Sequence, residues 1–332
     1  MTILAPLAAS AGAAILLLSP GLVLAQDVAR AEIADYPARP VRMIVPLAPG
    51  GGSDIVGRIV AQALSEQWGQ AVIVDNRPGA GSTVGTAIAA KSASDGHTVL
   101  VSSSSVAISP ALYKNLSYDV RRDFTGVTLI ANQPSVLAVH PSVPVASVSE
   151  LVALAKSRPG KLAYASAGPG SATHLGSELL KYAAGIDLLH VPYKSAGQAT
   201  SALLSGEVQV LFTNMASVLP HTRSGRLKAL GVSSTQRSTL APEMPSIAEA
   251  GVPGFVYATW YGMLVPAGTP GPIIERIRSD TAKSIHTPEV QGRFTGQGLD
   301  VYGSSPAEFQ AYLGAELLKW EKLIRAAAVR VD

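Results

Sequence analysis

The apolar run Val41 to Val45 is stopped by Pro46 and Pro49 and followed by three glycines, Gly50 to Gly52. The run reads as a buried strand. Beyond the glycines, Ile55, Ile59, Ala63 and Leu64 recur at helical spacing, predicting a helix over 54–68 capped by Ser53 or Asp54. The pattern then repeats. Strands are expected at 71–74 and 98–102 with a helix near 84–91 between them, and Ser-rich turn material follows. Extended segments at 127–130 and 136–139 flank Asn132-Gln-Pro134. Ser147-x-x-Glu150 is a capping box ahead of a helix ended by Arg158-Pro-Gly160. A strand at 161–165 runs into Ser166 to His174 and a helix at 175–184. Strands at 188–191, 208–212 and 227–232 follow, with a helix near 198–204. After an extended segment at 255–265, two long helices open at Thr269-Pro270 and at the capping box Ser305-x-x-Glu308. The second carries Phe309, Tyr312, Leu313, Leu317, Trp320 and Ile324 on one stripe, a core face.

Strands alternating with helices of this length imply an α/β fold, with parallel sheets flanked by helices. The segments near 130–139 and 255–265 read as crossings between two lobes. Lobe one would comprise 36–135 plus 260–332, and lobe two, inserted, 136–259.

Composition narrows the function. The chain has 332 residues, 47% hydrophobic, enough for two lobes. Charged residues make up 15% and the net charge is +3, with no Lys/Arg cluster, which argues against nucleic acid. The absence of cysteine excludes disulfides, thiolate catalysis and Cys-zinc sites. Residues 1–25 carry no charge, hold an apolar core at 11–18, and end in Val23-Leu24-Ala25 before Gln26. They read as a signal peptide, although no Lys or Arg precedes the apolar core, and they point to an exported protein.

A strand, a Gly-rich loop and a helix N-terminus together make an anion site, through free amides and the positive end of the macrodipole. Ser166-Ala-Gly-Pro-Gly-Ser-Ala-Thr-His174 repeats that logic. Facing each other, the two loops would hold a small carboxylate without arginine. A helix end contributes roughly 0.3–2 kcal/mol toward an anion. Charge-assisted amide bonds add roughly 1.5–3 kcal/mol each.

Several stretches resemble the Bug (TctC-like) family. They are Tyr36-Pro-x-Arg-Pro-Val-Arg42, the Pro-Gly-Gly-Gly-Ser-Asp54 loop, Val74-Asp-Asn-Arg-Pro-Gly-Ala-Gly81, Asp95-Gly-His97 and Leu162-x-Tyr-Ala-Ser-Ala-Gly168 with Thr173-His-Leu175. His190-Val-Pro-Tyr-Lys194, Glu249-Ala-Gly251 and Pro266-Ala-Gly-Thr-Pro270 continue the series. The resemblance implies a two-lobed periplasmic-binding-protein (Venus flytrap) fold that closes on a small carboxylate and delivers it to a membrane permease of the tripartite tricarboxylate type. It also implies a monomer whose two Gly-rich loops contact the carboxylate, partly through water. The expected ligand contacts are Leu47, Gly51, Gly52, Ser53, Asp54, Ser103, Ser104, Ala167, Gly168, Ser171, Thr173, His174, Tyr193, Asn214 and Trp260. Two departures stand out: Ser195 where the family usually has Gly, and Thr213 where it often has an acidic residue. Losing an acidic group there disfavours an amino-acid ligand.

Single residues keep second readings. Asp54 suits a helix cap better than a ligand contact. Arg58 suits a neighbouring acid, Lys194 a packed surface as well as a ligand, and Trp260 the core as well as the cleft wall. Enzyme readings fare badly. Gly51-Gly-Ser53-Asp-Ile55 lacks the last glycine of a nucleophile elbow, and the six histidines form no metal-ligand spacing. Gly79-Ala-Gly81-Ser-Thr-Val-Gly85 imitates a dinucleotide fingerprint, but the next strand ends in serines rather than the ribose-binding acid. No enzyme activity, metal or cofactor is expected. A sensory protein presenting the same carboxylate to a signalling receptor remains the alternative.

Overall fold

The computed structural model describes residues 35–234, 237–238 and 241–326; the predicted signal segment lies outside them. β1 (Val41–Val45) leads into α1 (Gly52–Trp68), then β2 (Val72–Asn76), a 3-10 turn at Ala80–Ser82, α2 (Thr83–Ala90) and β3 (Thr98–Ser103). α3 (Ser105–Leu112) and the short α4 (Val120–Asp123) precede β4 (Phe124–Val139). There follow α5 (Val148–Ser157), β5 (Ala163–Ser166), α6 (Ala172–Ala184), β6 (Leu189–Pro192), α7 (Ala196–Ser205), β7 (Val210–Asn214), α8 (Met215–Arg223) and β8 (Lys228–Val232). The chain closes with β9 (Ala258–Pro266), α9 (Gly271–Ile285), α10 (Pro288–Gly296), β10 (Asp300–Val301) and α11 (Pro306–Ala326).

The strands run in the order β2-β1-β3-β9-β4-β7-β5-β6, with β8 and β10 also pairing to β4. β1, β2 and β3 are parallel, as are β5, β6 and β7; β9 and β4 run antiparallel between the two sets. β4 is the shared strand. Through Pro134 it pairs with β9, and from Ser135 onward with β7. The two extended segments expected around Asn132-Gln-Pro134 are therefore one 16-residue strand, because Pro134 sits where the ladder changes partners and its missing N–H is tolerated.

Helix ends follow local chemistry. Ser147 accepts from the Glu150 amide, and the Glu150 carboxylate accepts from the Ala146 amide. Ser305 and Glu308 close the second expected box reciprocally, at 2.8 and 3.3 Å. Two caps differ from expectation. Gly51, not Ser53 or Asp54, is the N-cap of α1, and Pro270 occupies the N-cap of α9 while Thr269 donates to the Pro266 carbonyl. The Ser-rich stretch after β3 is α3, a helix despite its internal Pro110, because Val106, Ala107 and Ile108 are buried.

The α11 stripe is core as the pattern predicts: Phe309, Leu313, Leu317, Trp320 and Ile324 are buried, with Tyr312 packed beside them. α11 lies along β4 and against α3. Trp260, on β9, belongs to this same core. Among the described residues no helix is long and apolar enough to cross a membrane.

Candidate ligand site at the strand ends

The register brings the chemistry to one belt. β1, β2 and β3 end at Val45, Asn76 and Ser103, and Ser103 is level with Tyr261 of β9, which is in turn level with Ala131 of β4. In the other set β7 ends at Asn214, level with Ser135, and the parallel β5 and β6 end at Ser166 and Pro192. All six carboxyl ends thus converge beside the point where β4 changes partners. Crevices outside such strand ends are where open α/β sheets bind ligands. α1, α2, α3, α6, α7 and α8 each begin there, so their amide ends point toward the belt.

The helix ends differ in what satisfies them. Ser171, Ser195 and Asn214 cap α6, α7 and α8, each side chain accepting an amide of its own first turn. The N-caps of α1, α2 and α3, Gly51, Ser82 and Ser104, make no side-chain cap bond. In the β1–β3 half the Thr83 amide of α2 reaches the Ala80 carbonyl and the Ser105 amide of α3 lies 3.4 Å from Ser103 Oγ, which leaves α1 with the more open amide end.

The first loop is held by Asp54. Its carboxylate accepts from the Gly50 amide at 2.9 Å, Arg58 Nε at 3.0 Å and Asn76 Nδ2 at 3.0 Å. Burial alone would raise its pKa, but bonds from Arg58, Gly50 and Asn76 outweigh that and hold it below the usual carboxylate range. Asn76 also donates to the Leu47 carbonyl. Asp54 is therefore the third residue of the helix, and its carboxylate reaches back to the amide just before the N-cap Gly51. A Cβ on Gly52 would overlap the Tyr261 hydroxyl, so the loop backbone lies directly on that phenol. Ser53 is buried and its Oγ has no partner. Ser103 Oγ donates to Ser105, and the Ser104 amide donates to the Trp260 carbonyl.

The second loop is braced from within. The Ala167 amide donates to Thr173 Oγ1, the Gly168 amide to Ser166 Oγ, the Gly170 amide to His174 Nδ1 and the His174 amide to Ser171 Oγ. Gly168 has φ +107°, a conformation that favours glycine. The Ala172 and Thr173 amides, in the first turn of α6, have no such acceptor. The loop thus offers fewer free amides than its composition suggests, because its hydroxyl side chains fold it rather than leaving it open.

Beneath the loop, His174 and His190 stack with ring centres 4.3 Å apart, and His190 stacks on Tyr164 at 4.8 Å. Burial, then the neighbouring His190, lowers the His174 pKa to about 4, so its Nδ1 remains an acceptor at neutral pH.

One expected contact, Trp260, sits elsewhere. Trp260 is fully buried against Phe309 and Tyr312, its indole N–H donating to Glu316 Oε2 at 2.9 Å. Strand alternation sends Tyr261, not Trp260, to the loop side. Tyr193 lies beside the second loop, its amide donating to the Ser166 carbonyl at 2.9 Å, while its ring packs on the cluster that holds Val136, Ala199, Leu203 and Leu211. Tyr261 and Gln133, which the sequence reading passed over, meet at the belt: the phenol donates to Gln133 Oε1 at 3.2 Å.

Strand ends and uncapped helices arranged in this way define a two-lobed α/β solute-binding protein. The chain belongs to the tripartite tricarboxylate transporter family of receptors, whose family model matches residues 56–329. It is 39% identical over 308 residues, 92% of each chain, to a protein of the tcbD-tcbE intergenic region of Pseudomonas sp. (strain P51). It is 37% identical to BugT of Bordetella pertussis, covering 89% of this chain and 91% of that one. Among solved structures, a TctC solute-binding protein from Polaromonas superposes with TM-score 0.80 at 28% identity, covering 88% and 99% of the two chains. An R. palustris protein with adipate gives TM-score 0.73 at 33% identity (89% and 99% covered). MatC from Rhodopseudomonas palustris with bound malate gives 0.70 at 30% (87% and 100% covered). Members of this family are solute-binding receptors, not enzymes.

Proposed function

We propose that this chain is an exported periplasmic protein that captures one small carboxylate between lobes 36–135 plus 260–332 and 136–259, and delivers it to a tripartite-type membrane permease. It works as a monomer. The observation that carries this reading is the convergence of six strand ends on a belt where six helices begin, α1 among them with no side-chain cap at Gly51. Gly52 and Ser53 of α1, Ser104 before α3, and Ala172 and Thr173 at the start of α6 are the proposed contact residues. Leu47, Gly51, Asp54, Ser103, Ala167, Gly168, Ser171, His174 and Asn214 shape the loops around them. The adipate- and malate-bound relatives support a carboxylate ligand.

Closure lets the ligand touch both lobes, so binding favours the closed population. A thermal-shift screen over mono-, di-, tri- and aromatic carboxylates tests the reading. A true ligand at 100 times its Kd stabilises by about 2.7 kcal/mol. No shift with any carboxylate, against a clear shift with another solute class, would overturn it. Capture of a permease from membrane extracts only in the liganded state tests the partner.

A further inference from the structure

Two clasps of the second loop rest on one side chain. The Gly168 amide donates to Ser166 Oγ at 3.1 Å, and the Gly170 amide to His174 Nδ1 at 3.0 Å. His190, on β6, meets both acceptors. Its Nε2 lies 2.6 Å from Ser166 Oγ, and its ring stacks on that of His174 with centres 4.3 Å apart. The register sets His190 level with Tyr164, two residues before Ser166 on β5, so the three side chains share one face of the sheet. Tyr164 adds a second stacking contact at 4.8 Å, and its hydroxyl donates to Glu178 Oε1, which Lys181 also holds.

Donors and acceptors decide the state of both rings. Ser166 is fully buried, and among the described residues its hydroxyl meets only the Gly168 amide and His190. It accepts from the amide, so its one proton goes to His190 Nε2, which leaves the His190 ring hydrogen on Nδ1. His174 accepts at Nδ1 and therefore keeps its hydrogen on Nε2. We propose that His190 is a positioning residue for the second loop: as the Nδ1–H tautomer, opposite to that of His174, it holds both clasps. It thereby fixes the path of residues 167–171 where they lead into the Ala172 and Thr173 amides. The inference rests on the solute-binding reading above for its effect on carboxylate affinity, but not for the clasp itself.

Nitrogen NMR of the labelled wild-type chain near neutral pH reads the tautomers: His190 should carry its proton on Nδ1 and His174 on Nε2. Solvent exchange of the Gly168 and Gly170 amides then tests the clasps one at a time. His190→Phe keeps a stacked ring and loses the Ser166 bond, so Gly168 protection should fall about 3- to 10-fold, the size of one hydrogen bond, while Gly170 keeps its own. His190→Gln keeps an acceptor within reach of Ser166 and loses the ring, so Gly168 protection should be restored and that of Gly170 should fall. Calorimetry with malate and adipate should show Kd raised about 3- to 10-fold in both variants. A proton on His190 Nε2, or wild-type protection at both glycines in both variants, overturns the proposal whatever the affinities do. Lost protection with an unchanged Kd overturns its effect on affinity. If His190→Phe fails to fold, the wild-type tautomers and His190→Gln decide by the same criteria. A wild-type chain that binds no carboxylate at all sinks the ligand reading, while the tautomers and the two amides still decide the clasp.

Discussion

His174 and His190 stack at 4.3 Å and 15°, and each ring holds part of the second loop: His174 Nδ1 accepts from the Gly170 amide, and His190 Nε2 meets Ser166 Oγ at 2.6 Å. Protonating His174 abolishes the acceptor and sets a cation against the His190 ring. Glu178 and Lys181, on the same helix, act in opposite directions on both rings.

Because burial lowers the folded-state pKa of His174 to about 4 from its ordinary value of 6.5, its contribution to stability is complete above pH 6.5. It is lost as pH falls through the window between the two values. The loss is on the order of 2 kcal/mol after allowance for solvent screening. Urea unfolding at pH 7.5 and pH 5 checks this, and a slope unaffected by His174→Asn would refute it.

Asp54→Asn removes the charged acceptor that joins Gly50, Arg58 and Asn76. A loss of about 1–3 kcal/mol in stability is expected, together with weaker carboxylate binding as the first loop loosens. Denaturation midpoints and titration calorimetry measure the two effects separately.

Replacing glycine by alanine inside a helix usually stabilises by about 0.5–1 kcal/mol. Gly52→Ala is expected to do the reverse, destabilising by about 1–3 kcal/mol through overlap with the Tyr261 ring and hydroxyl. Tyr261→Phe in the same chain should recover part of the loss. Stabilisation by the alanine would disprove the contact.

Glu316 is buried and accepts from both Trp260 and Trp320 at 2.9 and 3.0 Å, with Lys319 alongside. Glu316→Ala orphans two indole donors, and about 2–4 kcal/mol of stability should go with them. Carboxylate affinity should stay within about twofold, since Trp260 faces the α11 core; calorimetry on the folded variant decides.

The carboxylate in the first loop, Asp54, is already compensated by Arg58, and Thr213 at the end of β7 is neutral. An ammonium group therefore meets no acidic partner from either residue. A carboxylate that the chain binds is expected to bind at least about tenfold more tightly than its α-amino counterpart, a difference of about 1.4 kcal/mol. Competition calorimetry reads the ratio directly.

The order of elements was legible because periodicity and capping are local. Val41–Val45 followed by glycines, Ser147 with Glu150, and Ser305 with Glu308 each act within one turn, and the structure reproduces them. α3 was missed because its serines read as turn formers, while burial of Val106 and Ile108 holds the helix. The second loop was recognised as a loop, but its internal hydrogen bonds were not, since Thr173 and His174 reach back to amides whose positions depend on the turn itself.

What the chain determines alone is thus the alternation of strands and helices, the glycine turns between them and the family motif they spell. Which side of β9 faces the loop is another matter. Trp260 and Tyr261 are neighbours of similar size, and only the antiparallel register with β3 and β4 sends one into the α11 core and the other against Gly52. A one-residue slip would exchange them, because side chains alternate with period two, and no local rule in the sequence fixes that register.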